Sequence, residues 1–227
     1  MSPTAPIPIP TGRNVNRSPS PRLNLHLQTS HQPLSLNSVR QELNGFIYNY
    51  KFIPRDGLDG LMTRRVVKEI TMNLRLNDPS RPLHANTLLY EEDYTRVHEK
   101  YRVILAILIK LSFEDQFVKF HNYDNAYDDS RLPFSKEELE HIDPQRVICD
   151  IFLRTQYEFI PQIISGRHSW TPEFILPFIR KDDIGQGGYA KVYKVEIYPL
   201  YDNIGGSHCS NGQNVSQRLY PFYLRMS

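Results

Sequence analysis

The 227-residue chain carries 27 Lys and Arg against 25 Asp and Glu, a formal net charge of +2. So even a balance lacks the basic footprint of a nucleic-acid-binding protein, and no nucleic-acid partner is expected. Cys149 and Cys209 fit neither a disulfide framework nor a metal-ligand spacing, and the eight histidines form no HxxxH pair, so no metal site is expected either. The most apolar run, Val103 to Leu111, has about half the ~20 residues a bilayer crossing needs and is interrupted by Lys110. It reads as a buried helix. With no charged start followed by an apolar stretch at the N-terminus, the expectation is a cytoplasmic or nuclear protein without a membrane partner.

Residues 1–37 contain no Asp or Glu and hold seven prolines, from Pro3 to Pro33. Proline at that density removes backbone donors and blocks helix, and the scattered leucines cannot offset the entropy of ordering. The segment is expected to be disordered. Within it, Ser18-Pro19 and Ser20-Pro21 suit a proline-directed kinase. From about Ser38, Val39, Leu43, Phe46, Ile47 and Tyr50 recur at three- and four-residue steps on one helical face. A second helix is predicted from an Asp59 cap through Leu61, Met62, Val66, Ile70 and Leu74, ended by the Pro79 and Pro82 segment. Its Arg64 and Arg65 read as a solvated face.

Glu91-Glu92-Asp93 opens the strongest predicted helix, where acids favour the dipole. It is expected to run unbroken to Leu111, with apolar residues all round its second half, the mark of a bundle centre with Leu105 in the core. The acidic run Asp124 to Ser130 lacks the glycine and closing glutamate of a calcium loop and reads as a polar connection. Ser135 with Glu138 makes a capping box, and Asp143-Pro144 is a second helix start. Val147, Ile148, Ile151, Phe152, Tyr157 and Ile160 then supply the last helical face, with Cys149 buried among them. Ser165 to Ser169 reads as a linker. Trp170 to Pro177 reads as an extended segment packed on the helices.

Ile184 to Val195 is a glycine-rich turn leading directly into an alternating strand pattern. A dinucleotide-binding fold would follow its glycines with a helix. Here Ala190 to Ile197 alternates Tyr193, Val195 and Ile197 against Val192, Lys194 and Glu196, so the next element is a strand. No Gly-Lys-Ser/Thr follows, which excludes a Walker loop.

Phe174 to Ile197 resembles the first hairpin of a eukaryotic-type protein kinase. More narrowly, the chain resembles fungal protein kinases with a helical extension before the kinase domain, through the helix at 104–111, Leu132-Pro133-Phe134 and Phe174 to Phe178. The resemblance implies that Gly185 and Gly187 let the backbone approach ATP phosphates, with N–H groups from Gln186, Gly187, Gly188, Tyr189 and Ala190 facing their oxygens. Tyr189 would cover the loop tip, and Ile184 and Val192 the adenine. ATP and Mg2+ are the implied cofactors. Ala190 stands where the third glycine usually is.

After Lys194 there is no lysine, and no Ala-x-Lys strand, catalytic loop or metal-binding acid is found. The expectation is therefore a truncated kinase-like protein, by resemblance Ser/Thr-phosphorylating in a full-length form but inactive as written. It has no catalytic residue, and its ATP binding is weak or absent. The alternative is a helical module that binds a protein partner and carries a vestigial hairpin. The fold class is mainly α: a disordered tail (1–37), a helical extension (38–165), a single kinase-like hairpin (166–197) and an irregular tail (198–227).

Overall fold

A computed structural model describes residues 35–76, 91–121, 126–165, 174–186, 190–203 and 222–225. The expected disorder of 1–37 falls almost wholly outside these residues, as do the linker after Ser165 and Trp170. The described chain is mainly helical, with one small antiparallel sheet.

Helix α1 spans Leu36–Tyr50, capped by Ser35, whose Oγ accepts the Ser38 N–H at 3.1 Å. Its predicted face is the buried one, through Val39, Leu43 and Phe46. Lys51 stops the helix in the left-handed conformation, at φ 65°, and turns the chain into the buried Phe52 and Ile53.

The single helix predicted from Asp59 is instead two: α2 over Arg55–Leu61, starting after Pro54, and α3 over Arg64–Leu76. Met62 ends α2 by giving its N–H to the Leu58 carbonyl, and the Thr63 carbonyl accepts from Val67 at 2.9 Å to start α3. The stripe Leu61, Met62, Val66 and Ile70 is buried across the break, so periodicity alone does not register it.

The long helix expected over 91–111 is likewise two, α4 at Glu91–Lys100 and α5 at Arg102–Leu111. In an unbroken helix the amides of Val103 and Ile104 would bond the carbonyls four residues back. They go instead to the Asp129 carboxylate, at 2.8 and 3.0 Å, from a loop that the sequence presents as a plain connection. Tyr101 takes the non-helical conformation between the two helices. At the other end, Arg40 of α1 donates to the Ile109 carbonyl at 2.8 Å and to Glu114. Every residue of α5 from Ile104 to Ile109 is buried, and the helix packs against both α1 and α8, as a bundle centre must.

Helix α6 (Phe117–His121) leads to α7 (Lys136–Ile142), which carries the predicted capping box. Asp143-Pro144 does not start a helix. Asp143 is 1% exposed, and its carboxylate accepts the Ile148 N–H at 2.8 Å and the Lys119 ammonium at 2.7 Å. Burial pushes this carboxyl up, but the bonds from Lys119, Ile148 and Val147 outweigh it and hold it below its ordinary value. That turn delays α8 to Cys149–Phe159. Ile148, Cys149 and Phe152 are buried as predicted, whereas Val147 and Ile151 face outward. Gln156, wholly buried on α8, brackets Phe134: its Oε1 accepts the Phe134 N–H and its Nε2 donates to the Phe134 carbonyl. A buried amide bonded in this way costs little.

Strands β1 (Phe178–Gln186) and β2 (Ala190–Ile197) form the predicted antiparallel hairpin. The expectation of a lone hairpin followed by an irregular tail needs correction. A third strand, β3 (Phe222–Arg225), pairs antiparallel with β2, giving the order β1-β2-β3. Phe222 and Tyr223 have strand propensity, but four residues after a proline show no alternation, and it is pairing with β2 that makes them a strand.

Candidate functional site

The glycine-rich segment lies where β1 passes into β2. Pairing runs Asp182 with Lys194 and Asp183 with Tyr193, then slips at a bulge, so that Gly185 faces Val192 and Gln186 faces Lys191. A bulge bends its strand and changes where the following residues point. Gly185 is exposed, and an added Cβ there would meet nothing within 4 Å. Neither packing nor a left-handed backbone requires a glycine at this position. Its N–H goes to Asp183 Oδ1 at 3.1 Å.

The candidate residues are placed unequally. Ile184 is 60% exposed on β1, with its side chain open to solvent. Gln186 closes β1, Ala190 opens β2, and Val192 sits opposite Gly185. Gly187, Gly188 and Tyr189 lie outside the described residues.

On β2, Val195 and Ile197 are buried together with Ile164, and Phe178 and Tyr193 pack beside them. Strand alternation sends the neighbouring residues of β2 to the opposite face. Charges on the hairpin are largely matched to one another. Arg180 holds Asp182 at 2.9 Å, Asp182 is paired in register with Lys194, and the Lys181 ammonium lies 3.9 Å from the centre of the Tyr193 ring. Asp183 adds a negative charge just before the turn.

Strand β3 brings Arg225 into register with Ala190, and Tyr223 with Val192. It lies beside β2, and its residues are Phe-Tyr-Leu-Arg. Among the described residues, no group of His, Cys, Asp and Glu is arranged to hold a metal ion, and no helix is long and apolar enough to cross a membrane.

Away from the turn, four rings meet where the sheet joins the helices. Tyr50 and Phe52, at the end of α1, meet Tyr198 and Tyr201, just after β2, with ring centres 5.6–6.0 Å apart. The Tyr198 hydroxyl donates to both oxygens of Asp56, at 3.0 and 2.9 Å, and the Tyr201 oxygen accepts the Arg55 N–H at 2.9 Å. Tyr198 and Asp56 are 142 residues apart, so no local pattern pairs them. The chain matches no protein-family model, no curated protein and no solved structure.

Proposed function

We propose that residues 178–197 are a nucleotide-covering hairpin of the protein-kinase type, preceded by a helical extension, and that the 227-residue chain does not itself transfer phosphoryl groups. The observation that carries this reading is Gly185. It is a glycine at a bulge beside the turn that neither sterics nor backbone conformation demands, in a turn that leads into a strand. Close approach of a ligand to the backbone is a physical reason for such a residue. The three-stranded antiparallel order with β3 beside β2 fits the same reading.

The inactivity follows from what the sheet lacks. Phosphoryl transfer is positioning plus charge stabilisation by a strand lysine, metal ions and a catalytic aspartate. Here β3 carries Arg225 and no lysine, and the Ile184 side chain is open to solvent. In a longer chain able to bind Mg2+ and ATP, Gln186 to Ala190 would face the phosphates, and Ile184 and Val192 the adenine.

Calorimetric titration of the 227-residue chain with Mg-ATP tests the proposal. A Kd weaker than roughly 1 mM, about 4 kcal/mol of binding or less, is expected. Micromolar binding that Gly187→Val abolishes would show that the chain completes its own site. Reading the transcript past Ser227 tests the descent: an Ala-x-Lys strand followed by His-Arg-Asp and Asp-Phe-Gly motifs supports it.

The second reading, a helical module for a protein partner, rests on one observation. Among the described residues, the main core closes among α1–α8 with no contribution from the sheet. A transcript that ends at Ser227 would favour it.

A further inference from the structure

We propose that Tyr198 and Tyr201 form a clasp that seats the glycine-turn sheet on the helical body, and that breaking the Tyr198–Asp56 contact releases the sheet as one unit. This inference does not rest on nucleotide binding.

Two separate apolar cores come first. Among the described residues, the helical core runs from Val39 to Phe159 and contains no strand residue, while the sheet's core holds Ile164, Val195 and Ile197 with Phe178 and Tyr193 beside them. A unit with a core of its own can open separately from the body it leans on.

Among the described residues the two are tied ahead of β1 as well as after β2: the Gln162 N–H bonds the Ile175 carbonyl at 3.3 Å, and the Tyr157 ring of α8 meets Phe174 with centres 5.3 Å apart. The Ile164 N–H bonds the Tyr201 carbonyl at 2.8 Å, and the Asn203 N–H returns to the Ile164 carbonyl at 2.9 Å, a parallel bridge tying the chain after α8 to the chain after β2. The Tyr198 N–H bonds Pro177 at 2.9 Å, which ties the end of β2 to the segment leading into β1. After β2, the four-ring cluster and two hydroxyl contacts onto the start of α2 add to these links.

Within that set, Tyr198–Asp56 is the charged contact. A phenol donating to both oxygens of a carboxylate makes a stronger bond than a neutral pair. Burial first, and the Asp56 charge second, push the Tyr198 phenol well above its ordinary range, so it stays a donor. The contact lies at the protein surface, with Asp56 exposed and Tyr198 half-buried, so it can break without unpacking either core. Once it opens, the Tyr198 and Tyr201 rings can leave Tyr50 and Phe52, and the sheet departs with them.

Native-state hydrogen exchange on the full chain tests this, comparing wild type with Tyr198→Phe, Asp56→Ala and the double variant. Amides in 178–186 and 190–197 of either single variant should exchange about ten-fold faster, the effect of losing one charge-assisted hydrogen bond at a partly exposed site. Amides of α5 should keep their wild-type rates. The double variant should exchange no faster than the faster single one, because both substitutions remove the same contact. Unchanged sheet exchange would overturn the proposal. So would equal acceleration of the sheet and α5, which would make the contact part of global stability; a variant that fails to fold gives that result. Additive effects in the double variant would show that Tyr198 and Asp56 act separately and would also overturn it.

Discussion

Truncating Leu105 to alanine probes the centre of the helical core. The side chain is fully buried in a helix whose residues 104–109 are all buried, packed against α1 and α8. Removing the equivalent of three methylenes forfeits about 2.4 kcal/mol of transfer free energy, at about 0.8 kcal/mol each. The cavity term adds to this, because α5 is held at both ends by tertiary bonds, from Asp129 at its start and from Arg40 near its end. A helix fixed in that way collapses poorly into a void, which puts the cost in the upper part of the usual range, about 3–5 kcal/mol. The small gain in helix propensity from Ala over Leu does not change the outcome. Urea unfolding followed by far-UV circular dichroism reads the effect as a midpoint lowered by roughly 1–2 M at an unchanged slope. Leu105→Met, which nearly conserves volume, should lose less than about 1.5 kcal/mol. A loss below ~1 kcal/mol for Leu105→Ala would refute the reasoning, because that side chain would then not be closely packed.

On α2, Gly57→Ala should destabilise by about 1–3 kcal/mol despite alanine's better helix propensity. Its Cβ would sit 2.7 Å from two atoms of the buried Phe46 ring. Gly60→Ala on the same helix meets nothing within 4 Å and should stabilise by roughly 0.5–1 kcal/mol, so the two urea midpoints should move in opposite directions. Burial pushes the Asp129 carboxyl up to about 7, against the opposing pull of the Val103 and Ile104 amides and of Arg102. A folded value above the unfolded one means that stability is present at low pH and is lost as pH rises from about 4 through about 7. Wild type should therefore lose on the order of 2–3 kcal/mol between about pH 5 and pH 8 relative to Asp129→Asn. The comparison with the variant is needed because His98, lowered by burial and by Arg102, tilts stability the other way over part of that window. Parallel pH profiles for the two proteins, from urea midpoints, would contradict the assignment.

The helical faces were legible because they depend on residues within a turn of one another. Val39, Leu43 and Phe46 are buried in α1, Ile104 to Ile109 in α5, and Ile148 and Phe152 around the start of α8, as their spacing predicts. The Ser135 capping box was equally readable, since both of its hydrogen bonds close within three residues. The hairpin was legible from alternation beside glycine, and Ala190–Ile197 is a strand. Of the candidate site, the strand positions of Ala190 and Val192 followed from that alternation, whereas Ile184, Gly185 and Gln186, read as part of the turn, lie on β1. The bulge that moves Gly185 opposite Val192 did not, because a one-residue slip leaves the composition of both strands unchanged.

What the sequence by itself determined is therefore local: which stretches become helix or hairpin, and which of their faces turn inward. Where the helices break was decided by groups distant in the chain. Asp129 takes the amides of Val103 and Ile104 from 26 and 25 residues away and divides 91–111 into two helices, and the buried Asp143, bound by Lys119, makes a turn of what reads as a helix start. Strand β3 exists through its pairing with β2, and the Tyr198 hydroxyl reaches Asp56 across 142 residues. Periodicity records the polarity of neighbours along the chain. A carboxylate that captures a backbone amide, or a hydroxyl that captures a carboxylate, is chosen by proximity in space, and that proximity exists only once the helices have packed.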